Sequence, residues 1–311
     1  MPPRQTEEEQ ADFARAMQSV ADQAAMPQAE VDALSMLEGE DLDRFGAVWQ
    51  ALPGGARARL IRALHGAAEQ RLRLDFSALN RLALDDDDPE VRLAGVQAAL
   101  EDSSPALLLK LLDLVQADPE LDVRQAAAED LARFTLLGEL EDLDRESTER
   151  LRSRLRSVVR DEGQAPRVRA SALAALGYFS DTENAEDLAA GFTNPELRLG
   201  AVRGMGRSAD PRWTDRLMPV LGSEDPQLRT EAALALGEIE DERAVSPLVE
   251  LVDDPVREVR LAVIEALGHI GGEEAREALL YLAEAPDDTV REAAEHALEE
   301  VESTEDDDLS F

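Results

Sequence analysis

The sequence predicts an all-α solenoid. A short motif recurs, its copies are almost evenly spaced, and each carries an apolar stripe at helical period. The motif is fullest from Asp225 to Gly237, Asp-Pro-Gln-Leu-Arg-Thr-Glu-Ala-Ala-Leu-Ala-Leu-Gly. Its opening returns in Asp88-Pro89-Glu90-Val91-Arg92, Pro166-Arg167-Val168-Arg169, Asn194-Pro195-Glu196-Leu197-Arg198 and Asp254-Pro255 leading to Val259-Arg260, while Val123-Arg124 and Val290-Arg291 keep its end. With the arginine as ruler and a degenerate early copy at Arg57, the step from Arg169 to Arg198 is 29 residues and the next three are 31, 31 and 31. The step from Arg124 to Arg169 is 45 and must carry an insertion. A fixed period in this range is that of stacked supersecondary units, here about eight helix pairs.

The chain reads as three parts. Residues 1–35 form a polar, partly helical arm, expected to be mobile, with Phe13, Met17 and Val20 at helical spacing. Residues 36–300 hold the repeats, with the insertion near 138–149, and 301–311 form an acidic tail expected to be disordered. From Leu42 to Ala67, apolar residues recur at helical spacing on either side of Pro53-Gly54-Gly55, which predicts one helical hairpin. Residues 74–84 supply the next first helix, and Asp85 to Asp88 form the turn into the helix of Arg92. Asp88, Asn194 and Asp225 can accept hydrogen bonds from the unpaired N–H groups at a helix start, and the proline after each suits the first helical position. Counting from the arginine, positions +3, +4 and +7 (Ala232, Ala233 and Leu236 in the fullest copy) share one stripe and predict the core. Gly177, Gly206, Gly237 and Gly268 then read as residues that close four successive helices. Trp213–Leu221, Val245–Val252 and Ala275–Leu282 read as first helices, with Pro219 and Pro247 bending or beginning two of them.

Composition narrows function. A formal net charge of −36 repels nucleic acid phosphates and anionic lipid headgroups, so neither is an expected partner. The charge fits a chain kept soluble by its carboxylates, or a basic partner. No run of about 18 apolar residues could span a bilayer, and the N-terminus is acidic where a secretory signal would be cationic and then apolar. The absence of cysteine excludes disulfides, thiolate nucleophiles and cysteine-held metals and fits a reducing compartment, so a cytoplasmic location is expected.

The opening Asp-Pro-x-Val-Arg with Ala-x-Ala-Leu-Gly at the helix end, repeated at about thirty residues, resembles the HEAT repeat, in the short variety named after phycobilin lyase subunits. The resemblance covers roughly residues 40–300 and is clearest at 166–298. It implies a HEAT-like α-solenoid, a right-handed superhelix, that binds other macromolecules. Some HEAT-like proteins are enzymes. Deoxyhypusine hydroxylase-like proteins hold di-iron with His-Glu pairs, but here His65, His269 and His296 precede Gly66, Ile270 and Ala297. HEAT-like DNA glycosylases need a cationic surface, for which this chain is too acidic.

Three sets of residues are candidates. The ruler arginines fall inside their own apolar stripe and so need partners if buried. Arg92, Arg198, Arg229, Arg260 and Arg291 are therefore expected to form a structural ladder with Asp88, Asp225 and Asp254. Positions +5 and +9 point outward, onto what should be the concave surface: Arg62, Gln97, Glu129, Arg203, Glu265 and His296, then Glu101, Arg133, Tyr178, Arg207, Glu238 and His269. In the middle of this row Tyr178, Arg203 and Arg207, with Arg212 and Trp213 in the following turn, are expected to form a cationic, aromatic binding patch for an acidic peptide or carboxylate. The competing reading pairs these arginines with neighbouring carboxylates and puts Trp213 in the core. Arg150, Arg152, Arg154, Arg156 and Arg160 form a second basic cluster, expected to be neutralised by Glu139, Glu141, Asp142 and Asp144. Gly204-Met205-Gly206 lacks the strand and lysine of a phosphate loop, and no metal, catalytic or cofactor constellation stands out. The expectation is a non-enzymatic protein-interaction scaffold or adaptor, with no cofactor and no obligate small molecule. The alternative is a lyase-like accessory subunit that presents a substrate or chromophore.

Overall fold

A computed structural model describes residues 6–71, 73–99 and 102–308, with the side chains of 300 and 302–308 left aside. Glu101, residues 1–5 of the arm and 309–311 of the tail lie outside the described residues. All regular structure among the described residues is helical, and no helix is long and apolar enough to cross a membrane. Two compact units divide within one long helix, between Leu131 and Ala132. Unit 1 holds α1 (Glu7–Ala21), α2 (Gln28–Ala33), α3 (Gly39–Ala51), α4 (Gly54–Glu69), α5 (Ser77–Leu84), α6 (Pro89–Ala98), α7 (Pro105–Ala117) and the start of α8 (Leu121–Glu139). Unit 2 continues with α9 (Arg145–Arg160), α10 (Pro166–Leu176), α11 (Thr182–Thr193), α12 (Arg198–Arg207), α13 (Thr214–Leu217), α14 (Pro226–Ile239), α15 (Val245–Val249), α16 (Arg257–Ile270), α17 (Glu273–Leu282) and α18 (Asp288–Asp308). The eighteen α-helices among the described residues fit eight to nine pairs.

Local chemistry sets most helix starts. Asp88 accepts from the Glu90 N–H and Asp225 from the Gln227 N–H, each with proline at the first helical position. Asn194 differs: its side chain accepts from the Glu196 N–H, but the chain makes a turn there and α12 begins only at Arg198. The arm is docked. Thr6 and Glu9 close a capping box at the start of α1, and Phe13, Ala16 and Val20 are buried in one core with Leu34, Leu37, Phe45 and Trp49. The expectation of a mobile arm fails because one apolar residue per turn is enough to seat this helix. At the other end α18 runs through Asp308, into the stretch the sequence assigns to a disordered tail.

The insertion adds no separate element. It lengthens α8 to 19 residues, against 14 in α14 and α16, and the turn that follows leads into the 16 residues of α9. Pro219, which has no N–H, breaks the first helix predicted at 213–221. A 3-10 turn at Pro211–Trp213, the single turn of α13 and a second 3-10 turn at Met218–Gly222 replace it.

The recurrent glycine has a different role from the predicted one. Gly206, Gly237 and Gly268 lie inside their helices, and Gly177, at the end of α10, has ordinary right-handed backbone. Each sits where the next second helix comes closest. A Cβ on Gly177 would lie 2.4 Å from the Gly204 carbonyl oxygen, on Gly206 2.6 Å from Ala235 Cα, on Gly237 2.7 Å from Ala266 Cα and on Gly268 3.1 Å from Ala297 Cβ. The glycine stands eight residues after its ruler arginine, and the small residue it faces stands six after the next one. Successive second helices thus touch backbone to backbone.

The ladder of arginines exists, in an altered register. Helical side chains lean toward the helix N-terminus, so an arginine in the first turn reaches the turn in front of it. Arg92 Nη1 donates to the carbonyls of Asp86 and Asp87 at 2.9 and 3.1 Å, while its Nε and Nη2 donate to both oxygens of Asp118 at 2.7 and 2.9 Å. Arg229 repeats this with the carbonyls of Ser223 and Glu224 at 2.8 and 3.2 Å and the carboxylate of Asp254 at 2.7 and 3.0 Å. Arg57 reaches Asp86 at 3.1 Å, and Arg260 lies 3.7 Å from Asp287. Asp88 and Asp225 are occupied as helix caps. The receiving aspartates Asp86, Asp118 and Asp254 stand six residues before the next ruler arginine. Each also accepts the backbone N–H two residues on at 2.9 Å, which fixes the carboxylate before the arginine arrives. Arg291 pairs within its own helix with Asp288, and Arg198 lies over the Phe192 ring, 4.9 Å from its centroid. The hydrogen bonds to Asp118 and Asp254 raise the pKa of Arg92 and Arg229, against the effect of burial. Burial alone would raise the Asp254 carboxyl, but the Arg229 hydrogen bond, the Val256 N–H and the charges of Arg229 and Arg260 together hold it below the ordinary range.

Acid should weaken this fold in a defined window. The Arg243 hydrogen bond, helped by the Thr214 hydroxyl and opposed by burial, lowers Asp241 from 3.8 to about 2. A carboxyl depressed on folding adds stability that is complete above its unfolded value and is lost as pH falls through its folded value. The thermal midpoint should therefore drop between about pH 4 and pH 2, and less steeply in Arg243→Ala. Equal slopes for the two proteins, followed by circular dichroism, would count against the role of this pair.

Candidate interaction face on the second helices

The face is set by what the opposite side of each second helix buries. On α12 the residues Ala201, Val202 and Met205 are fully enclosed, which leaves Arg203 and Arg207, one turn apart, on the outward side. Tyr178, just after α10, lies beside them, with the Arg207 guanidinium 5.4 Å from its ring centroid. Arg203 pairs with Glu231 of α14, Nε to Oε2 at 2.9 Å and Nη2 to the other oxygen. Beyond Glu231 the row continues with Glu238, then Glu265 and His269 of α16.

Arg207 is the unusual member. It is half-buried, and among the described residues no carboxylate lies within ion-pair distance of its guanidinium. Burial lowers its pKa and the charge of Arg203 pushes the same way, while Tyr178, Glu238 and Glu231 act against both. Glu238 is exposed over part of its surface, yet neighbouring atoms crowd its carboxyl and raise its pKa. Glu231 and Glu265 add to that rise, and Arg207 and His269 oppose it. A cationic, aromatic end therefore adjoins an acidic stretch along one row.

The predicted patch divides. Arg212 and Trp213 belong to the 3-10 turn that opens the next first helix, where Arg212 pairs with Asp210 at 2.5 Å. Trp213 is 5% exposed, part of the core, with the guanidinium groups of Arg212 and Arg216 at 6.0 and 5.4 Å from its ring. Glu231 was missed by the sequence reading, although its place two residues after Arg229 also points outward.

On α9, Arg152, Arg156 and Arg160 recur every fourth residue and share one side. They meet Asp181, Glu183 and Asp187 at the start of the next first helix: Arg156 to Asp181 at 2.5 Å and to Glu183 at 2.8 Å, and Arg160 to Asp187 at 2.9 Å. Of the four expected partners, Glu139 accepts from the Ser180 hydroxyl and Asp144 caps α9. Among the described residues no group of three or more His, Asp or Glu side chains could hold a metal ion.

Residues 188–262 and 215–299, which span α12, α14 and α16, match a family profile described as HEAT repeats. This part of the chain carries HEAT repeats. Solved structures similar to the chain include an engineered protein, 22% identical over 63% of this chain and 98% of its own, with a TM-score of 0.41. Human deoxyhypusine hydroxylase is 20% identical over 95% of this chain and 97% of its own, with a TM-score of 0.36. An importin beta is 15% identical over 95% of this chain and 47% of its own, with a TM-score of 0.48. No curated protein matches the sequence.

Proposed function

We propose that this HEAT-like repeat protein is an interaction scaffold of a reducing compartment such as the cytoplasm, and that the outward row of its second helices receives a partner protein through a carboxylate seated on Arg207 and Tyr178. The observation that carries this reading is that Arg207 is half-buried, with no ion-pair partner among the described residues. Burying a charge is costly until an opposite charge meets it, so a carboxylate bound there gains more than it would at an exposed arginine. Tyr178 adds a rigid aromatic surface beside the charge, the kind of residue on which interfaces concentrate binding energy. Arg203, already engaged by Glu231, lends long-range potential.

Because the whole chain carries −36, an acidic segment is repelled at a distance and attracted only at the face. Added salt should therefore speed association, the reverse of ordinary steering. The test compares native-host proteins captured by the wild type and by Arg207→Glu. The variant should lose its partner while keeping the helical circular dichroism of the wild type, which separates loss of the contact from loss of the fold. A partner captured equally by both proteins would remove Arg207 from the interface.

A further inference from the structure

The ladder lacks its aspartate at four positions, Gly163, Phe192, Ser223 and Ala285, and of these only Ser223 carries a hydroxyl. Arg229 reaches the aspartate 25 residues on, Asp254, and that aspartate accepts the N–H of Val256. The residue 25 after Arg198 is Ser223. Ser223 adopts the same local turn, its Oγ accepting the N–H of Asp225 at 3.2 Å. It is half-buried between exposed Gly222 and Glu224. Serine is shorter than aspartate and uncharged, so it gives Arg198 no carboxylate. In Arg92 and Arg229 the Nε atom takes the next repeat's aspartate, whereas the Nε of Arg198 is shut off from solvent with no acceptor. Arg124 has the same orphaned Nε, and six residues before the next ruler arginine stands Gly163, which has no side chain to supply an anion or carry one.

We propose that Arg198 and Ser223 form a phosphoryl-recognition site, in which a phosphate group takes the place that Asp118 and Asp254 fill for Arg92 and Arg229. A phosphate presents several acceptor oxygens to a guanidinium fork and carries up to two negative charges. It could be an ester on Ser223 or a free phosphate ion. The ester is favoured because Glu224, Asp225 and the net charge of −36 repel a free anion, whereas a covalent one is held in place. To form it, the Ser223 Oγ attacks the terminal phosphorus of a nucleoside triphosphate bound by a separate kinase. The bond from that phosphorus to the diphosphate breaks, the diphosphate leaves, and the hydroxyl proton passes to the kinase's base. The ester would then join the repeats of α12 and α14, the two helices that carry the proposed interaction face. This inference rests on the ladder and stands whether or not Arg207 binds a partner.

The test uses full-length protein and thermal melting in two arms. In one, phosphoserine is installed at 223 during translation and confirmed by intact mass. In the other, inorganic phosphate is titrated against chloride at matched ionic strength. The phosphoserine protein should melt about 2 °C or more above the unmodified chain, and the rise should vanish in Arg198→Ala. Ser223→Asp should reproduce part of it, which tests the same position with Arg198 intact. A saturable rise with inorganic phosphate that Arg198→Ala abolishes would identify the free ion as the source. No rise in either arm, or a rise that survives Arg198→Ala, overturns the site.

Discussion

Arg229→Ala should destabilise the protein by about 3 kcal/mol, the cost of removing one partner from a buried ion pair. The guanidinium makes four hydrogen bonds, two to the turn ahead of its helix and two to Asp254 in the next repeat. Asp254, whose side chain is 4% exposed, would keep its charge with only the Val256 N–H and the field of Arg260 to compensate it. A double-mutant cycle with Asp254→Ala should give a coupling above about 1 kcal/mol. Arg212→Ala, which removes an exposed pair, should cost under about 1 kcal/mol. Denaturant unfolding reads all of these as shifts in midpoint. An Arg229→Ala protein as stable as the wild type would mean that the ladder contributes nothing to the fold.

Gly237→Val should cost about as much by a different route. Its Cβ would lie 2.7 Å from Ala266 Cα and 3.0 Å from Ala266 Cβ, and because these atoms belong to the body of α16 no rotamer change relieves the clash. The helices must separate, and overpacking of this kind costs roughly 1–3 kcal/mol, with a β-branched side chain at the upper end. Gly66→Ala is the opposite case. Gly66 lies inside α4 with nothing within 4 Å of a new Cβ, so alanine should add about 0.5–1 kcal/mol through its helix propensity. If both substitutions stabilised, the close approach of the second helices would have no energetic weight.

The same two features mark the limit of what the sequence could tell. Caps, prolines and the apolar stripe are local, and they gave the helix pairs and most helix starts directly. Which aspartate meets which arginine is a contact between repeats. Asp86, Asp87 and Asp88 are adjacent, the cap rule takes Asp88, and only the packing shows that Asp86 receives Arg57 and the Trp49 indole. Glycine at the end of an apolar stripe also has two meanings. The neighbour that decides between them is Gly204, Ala235, Ala266 or Ala297, about thirty residues away. Of the candidate face, Arg203, Arg207 and Tyr178 were legible as one outward row because helical period alone places them there. Trp213 was also legible as the start of the next first helix, and the 3-10 turn at Pro211 places Arg212 there with it.

The measurement that bears most directly on the scaffold reading is hydrogen–deuterium exchange of the protein alone and with a partner captured by the wild type and lost by Arg207→Glu. Binding at the proposed face should slow exchange in α12 and in the segment around Tyr178, and extend to α14, while α11 and α13, the first helices flanking α12 in sequence, exchange as before. Protection confined to those first helices, or to unit 1, would contradict the assignment of the interaction to the row of second helices.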